Sequence, residues 1–367
     1  MSDVSESAVR DALTRVIDPE IRRPITELDM VDAIQVTPDA ISAAIALTIV
    51  GCPASERIKA DCEREISAVA VGRAVSVQLS VMDADRRQAL IARLRGTKPT
   101  GTPFTKDSLT RVIAITSGKG GVGKSTITTN LAVDAAKSGL RVGVIDADVF
   151  GFSIPGLFGI PEAKPTRIDS MIVPPVAHDV KIISIGMFVD GNQAVSWRGP
   201  MLHRTINQFL TDVYFGDLDV LFLDLPPGTG DVAISVGQLL PHAEVIVVTT
   251  PQDAAADVAI RSAEVAKQTG QSILGVVETM SPATLPDGST LELFGSGGGD
   301  TVASTLGVAL LGQVPLSQTL RESGDQGTPV VNTHPDDPAA QAIARIGAEI
   351  RARKPSIAGA SLPLSPR

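Results

Sequence analysis

Gly118-Lys119-Gly120-Gly121-Val122-Gly123-Lys124-Ser125, continuing into Thr126, is the stretch on which the reading of this chain turns. Its spacing is G-x-x-x-x-G-K-[ST]. An apolar run, Val112 to Thr116, precedes it, and a helical pattern, residues 125–137, follows. That strand–loop–helix setting is what a phosphate-binding loop requires. The glycines let backbone N–H groups turn inward around phosphate oxygens, and the helix N-terminus adds a favourable dipole. Lys124 is expected along the β- and γ-phosphates of a nucleotide, and the Ser125 hydroxyl on Mg²⁺. A glycine-rich turn with no ligand is the bland alternative; the flanking strand and helix count against it.

Two acidic segments join the loop. Asp146-Ala147-Asp148 ends the apolar run Val142 to Ile145. Asp224 ends Val220 to Leu223 and leads into Leu225-Pro226-Pro227-Gly228-Thr229-Gly230-Asp231. Ligands of open α/β sheets bind at the carboxyl ends of strands. Asp224 is therefore the expected Mg²⁺-side acid, through water, with Asp146 also on the metal side. Asp148 is the candidate for orienting an attacking water, and Gly228 can offer its N–H to the γ-phosphate. Any one Asp taken singly reads equally as a cap or turn residue.

Further out, apolar runs recur at 182–185, 245–248 and 274–277, with a helical pattern at 254–268. Short unbroken runs suit strands buried on both faces of a parallel sheet, joined by crossover helices. The expected fold class is α/β: a phosphate-loop parallel sheet with helices on both faces, over residues 109–353. Residues 1–83 mix both periods: helices near Val9–Ile17 and Ser55–Val71, and strands at 30–36, 41–49 and 74–81. They read as a small α+β domain. Residues 84–108, with Arg86, Arg87, Arg93 and Arg95 before Pro99-Thr100-Gly101, read as a linker whose arginine-rich part resembles a short helix. Residues 354–367, rich in Pro, Ser and Ala, read as a disordered tail.

Composition excludes several classes. Net charge is −9, so a nucleic-acid partner held by bulk electrostatics is not expected. One Trp, one Tyr and nine Phe are too few for a base-stacking surface. Two cysteines build neither a disulfide framework nor a four-thiolate site in one chain. The start has no signal-peptide pattern, and the apolar stretch 41–50 is too short to span a bilayer. A cytoplasmic protein without a membrane partner is expected. His178, His203, His242 and His334 show no metal-ligand spacing.

The residues also carry a resemblance. A second loop lysine, Lys119, marks the deviant P-loop ATPases. More specifically the chain resembles the Mrp family of ATP-binding iron–sulfur cluster carriers. The resemblance lies in Trp197-Arg198-Gly199-Pro200-Met201, in Gly216-Asp217-Leu218-Asp219 running into the Asp224 segment, in Phe294 to Gly299, and in Val314-Pro315-Leu316. Residues 1–83, with Asp18-Pro19-Glu20 and Cys52-Pro53, resemble the small assembly domain that opens bacterial members. The resemblance implies a homodimer that binds and hydrolyses ATP with Mg²⁺ and passes clusters to apo iron–sulfur proteins. It implies that Lys119 reaches the partner's nucleotide, and that Pro315 and Leu316 contact the base. Thr279 stands where relatives carry an adenine-reading Asn.

Besides Thr279, the chain departs from that family in its cysteines. Family members carry C-x-x-C after the strand at 274–277, where two thiolates per subunit would bridge a cluster. Here Met280 to Gly288 holds no cysteine. Cys62, with Ile58, Ile66 and Val69, reads as part of a helix core face. Cys52, in a Gly51-Cys52-Pro53 turn before a helix, is the remaining candidate iron–sulfur ligand, its thiol pKa open to lowering by the helix dipole. Three readings stay open: a cluster-handling ATPase, a nucleotide-gated interaction switch that no longer carries a cluster, and a partitioning or positioning ATPase.

Overall fold

A computed structural model describes residues 4–96, 102–149, 151–188 and 199–353. Trp197, Arg198, residues 97–101 of the expected linker and the expected tail lie outside the described residues. The chain divides into two compact units. The first comprises residues 1–100, 165–176 and 212–216, and the second the remainder.

In the first unit, helix Glu6–Leu13 starts where the Ser5 hydroxyl accepts the Ala8 N–H at 3.2 Å, a standard side-chain cap. Strands Val31–Val36 and Ala40–Leu47 pair antiparallel. Ala40–Leu47 pairs in parallel with Ala74–Val81. A parallel pair needs a crossover. Helix Ser55–Ser67 supplies it and buries Ile58, Cys62 and Ile66 on one face.

The division differs from the one expected at residues 83 and 109. The arginine-rich stretch forms helix Ala84–Arg95, capped by Asp83, and Leu90 and Ile91 enter the first unit's core. Its arginines fasten it there. Arg86 binds the Asp32 carboxylate, Arg93 donates to the Glu27 carbonyl at 2.7 Å, and Arg95 donates to the Ser170 carbonyl at 3.2 Å. The hairpin of Thr166–Ile168 and Met171–Val173 adds Ile168, Met171 and Val173 to the same core, and Tyr214 is tied to it by its N–H on the Ile172 carbonyl. A local charge and proline pattern marks a connector. It carries no information about which distant apolar residues share a core.

Among the described residues of the second unit, seven strands run parallel. Their order is Leu310–Pro315, Ser272–Ser281, Glu244–Thr249, Arg111–Ser117, Val220–Asp224, Val142–Asp146 and Val180–Ser184. The central strands are buried along their length, as unbroken apolar runs require. Helix Lys124–Lys137 packs with Pro338–Ala352. Helix Asp253–Gln268 packs with Asp231–Leu239 and Gly298–Leu306, so both sheet faces are covered. The α/β class is borne out. No helix among the described residues is long and apolar enough to cross a membrane.

Candidate functional site

The central strand Arg111–Ser117 ends at the loop, and helix Lys124–Lys137 begins at its far side. Gly121 and Gly123 take φ of +80° and +79°, in the left-handed region that a side chain would strain. Gly118 is required for a different reason. A Cβ there would lie 2.4 Å from backbone atoms of Val258 and Ala259, in helix Asp253–Gln268. The N–H groups of Lys119 to Gly123 find no acceptor among the described residues. Unpaired N–H groups at a helix start form an anion cradle.

Beneath the cradle lies a carboxylate cluster. Strand register sets Asp224 directly beside Asp146. Lys124 Nζ donates to Asp224 Oδ2 at 2.7 Å and stands 3.8 Å from Asp148 Oδ2. The Ser125 hydroxyl donates to the same Asp224 oxygen at 2.6 Å, and the Thr128 hydroxyl to its other oxygen at 2.7 Å. Asp146 accepts the Ser184 hydroxyl at 2.9 Å and the Asp148 N–H at 3.1 Å. Complete burial, and then the adjacent Asp224, hold the Asp146 carboxyl well above the usual carboxylate range. Asp148 Oδ1 accepts the Gly151 N–H at 3.0 Å.

A cavity of about 1440 Å³ opens above. Lys119, Gly120, Gly121, Gly123, Lys124, Ser125, Thr126 and Asp148 form its polar floor; Thr279, Pro315 and Leu316 stand in its apolar wall. Asp146 and Asp224 lie behind that floor, fully buried. Two expected residues do something else. The Gly228 N–H donates to the Ser117 carbonyl at 2.7 Å, so it is committed to the strand end rather than presented to a phosphate. The Thr279 hydroxyl donates into the loop, 2.6 Å from the Val122 carbonyl and 3.0 Å from that of Thr249.

Glu278, next along the strand, is also fully buried. It accepts the Ser281 hydroxyl at 2.8 Å, the Gln313 amide at 3.0 Å and the Gly299 N–H at 2.6 Å. It thereby caps helix Gly298–Leu306. No motif singles out Glu278, Thr128 or Ser184. Their only signal in the sequence is an acid or hydroxyl at a strand end or one helical turn past the lysine.

The cysteines belong to the first unit. Cys52 is buried before helix Ser55–Ser67. Burial raises its thiol pKa, the Ala54 and Ser55 N–H groups lower it, and the charges of Glu20 and Asp18 raise it; the net direction is up. The expected dipole-driven lowering is thus outweighed by burial. Glu20 and Asp18 are otherwise engaged: Glu20 accepts the Thr166 hydroxyl at 2.7 Å, and Asp18 accepts the Ile21 N–H at 2.8 Å. Cys62 is fully buried, and burial, with Asp61 and Glu63, pushes its thiol up to about 12. In native protein at pH 8, iodoacetamide is expected to leave Cys62 unmodified and to alkylate it after denaturation. Native alkylation at the denatured rate would contradict the core assignment.

Two family profiles match successive stretches of the chain. The profile described as NUBPL iron-transfer P-loop NTPase matches residues 108–351. The chain belongs to that family. A second profile, iron–sulfur cluster assembly protein, matches residues 6–79. A Mycobacterium tuberculosis protein named iron–sulfur cluster carrier protein is 53% identical over 98% of this chain and 97% of its own. A Bacillus subtilis protein of the same name is 37% identical over 93% of this chain and 97% of its own. A nucleotide-binding protein of Archaeoglobus fulgidus, solved with ADP, is 35% identical over 61% of this chain and 92% of its own, with a TM-score of 0.52. The Mrp-type resemblance is borne out. Within the NUBPL-type NTPases this chain lacks cysteine throughout the segment from Met280 to Gly297. Among the described residues, no group of three His, Cys, Asp or Glu side chains is placed to hold a metal.

Proposed function

We propose that the chain binds and hydrolyses Mg-ATP as a homodimer and uses that cycle to handle iron–sulfur clusters for apo-proteins. One observation carries the nucleotide half. The loop N–H groups from Lys119 to Gly123 lack acceptors among the described residues, directly above the Lys124–Asp224–Asp148 cluster. Bound phosphates would draw Lys124 toward the β- and γ-oxygens. Ser125 and Asp224 offer hard oxygen donors that suit Mg²⁺, an ion held by one or two protein groups plus substrate phosphates. Bound there, Mg²⁺ would supply positive charge against those phosphates. Asp146 backs this side of the site, Asp148 orients the attacking water, and Pro315, Leu316 and Thr279 border the base. Gly228 reaches the γ-phosphate only once its bond to Ser117 opens. Lys119, whose ammonium forms no ion pair among the described residues, reaches the partner's nucleotide.

Lys119→Ala and Asp148→Ala are expected to keep nucleotide affinity near wild type and to lower turnover by roughly 100-fold. Steady-state hydrolysis and equilibrium nucleotide binding check this; normal turnover in either variant removes the corresponding role.

The cargo half is supported by the relatives' names and by the assembly-type first unit. Its test is anaerobic reconstitution with iron and sulfide, with and without ATP, followed by metal and sulfide analysis. Retained cluster that Cys52→Ala abolishes supports it; no retention where C-x-x-C relatives load defeats it. A second reading, a nucleotide-gated interaction switch without a cluster, is favoured by the cysteine-free segment and the burial of both thiols. ATP-dependent partner binding that ignores iron and Cys52→Ala supports that reading.

A further inference from the structure

Thr279 lies beside the loop, two residues before the end of strand Ser272–Ser281, and its side chain is buried. Its hydroxyl has one proton to give, and both near neighbours are carbonyl oxygens, which only accept. The shorter contact, 2.6 Å to Val122, takes the proton; Thr249 at 3.0 Å shares it weakly. The peptide between Val122 and Gly123 is planar and trans, so its N–H points opposite to its C=O. Holding the Val122 carbonyl on the strand end therefore turns the Gly123 N–H away from Thr279. That N–H has no acceptor among the described residues.

The surroundings of Thr279 agree with this geometry. Its methyl carbon lies 3.8 Å from where a Cβ on Gly123 would sit, so it closes the space under the glycine. Glu278, whose side chain points to the opposite side of the strand, is held by Ser281, Gln313 and Gly299. The strand end is thus fixed on both faces, and the loop peptide inherits its orientation.

We propose that Thr279 is a positioning residue: its hydroxyl, through the Val122 carbonyl, aims the Gly123 N–H at the nucleotide's phosphates. This rests on the nucleotide reading above and assigns Thr279 a task separate from base recognition. The peptide can rotate when the hydroxyl is absent, because Gly123 tolerates many backbone angles.

The test compares Thr279→Val, Thr279→Ala and Thr279→Ser in the full chain, by calorimetric titration with ATP and ADP, steady-state hydrolysis and thermal melting. Val and Ala both remove the hydroxyl; Val keeps the methyl group and puts a second in place of the hydroxyl, and Ala serves if Val proves insoluble. The expected result is an increase in Kd and KM of about tenfold for both hydroxyl-free variants, with kcat changing less. Thr279→Ser is expected to restore affinity to within about threefold of wild type, since the donor returns. Wild-type affinity in Val or Ala, or a Ser variant as weak as Ala, overturns the proposal. Lys124→Ala serves as the control. If it loses nucleotide while the Thr279 variants bind normally, only the Thr279 role fails. If wild type itself binds neither nucleotide, the site reading fails and takes this role with it.

Discussion

Lys124→Ala is expected to raise the Kd for ATP and ADP by at least about 100-fold, because it removes the cation that, on the proposed reading, meets the phosphates. It should also unsettle the empty site. Lys124 is the buried partner of a fully buried Asp224, with Asp146 and Asp148 close by. Breaking a buried pair by deleting one member costs about 3–5 kcal/mol, less whatever a carboxyl regains by taking up a proton. Chemical denaturation of the nucleotide-free variant measures that cost. Adding Asp224→Asn to Lys124→Ala should recover much of the stability, since the uncompensated charge is gone, while nucleotide binding stays lost. A single variant as stable as wild type would mean that the Lys124–Asp224 pair contributes nothing to the apo fold. Retained nucleotide affinity would remove the phosphate-loop assignment.

Gly118→Ala carries the second large effect. A methyl group there meets the backbone of Val258 and Ala259 at 2.4 Å, and backbone cannot step aside as a flexible side chain can. Helix Asp253–Gln268 and the loop must part. Overpacking of this kind costs about 1–3 kcal/mol, and more where backbone is the obstacle. We expect a melting temperature lower by several degrees and nucleotide affinity reduced along with it. Gly120→Ala is the internal contrast. Its new Cβ would find only Pro227 Cγ, at 3.9 Å, an ordinary contact. Thermal melts of both variants decide the matter: equal effects would show that loop composition matters and helix proximity does not.

Much of the second unit is legible in its residues alone. Each apolar run from Val112 to Val277 forms a buried parallel strand, because a strand covered on both faces has no room for alternation. Leu310–Pro315 is not among those runs. Gly312 and Gln313 interrupt its apolar residues, so an edge strand looks like a loop carrying a base-contact motif. The connection 165–176 reads by its position in the chain as part of the second unit, because its apolar residues carry no mark of the core they join.

The site divides along the same line. Loop spacing and strand-end acids are properties of neighbouring residues, and the sequence alone determined them: the phosphate loop, Lys124, Ser125, and carboxylates at the ends of two strands. Tertiary structure decided everything that depends on register and close approach. Packing buried Asp146 completely and register set it beside Asp224; burial first, and then that neighbouring charge, drove the Asp146 pKa upward. The approach of two strand ends turned Thr279 toward Val122 and Gly228 toward Ser117. Burial, which no local pattern measures, raised the Cys52 thiol where a helix start alone would have lowered it. A one-dimensional pattern specifies which groups are present and which face of an element they share. Which hydroxyl, amide or charge each of them meets is fixed only when distant segments pack and water is excluded between them.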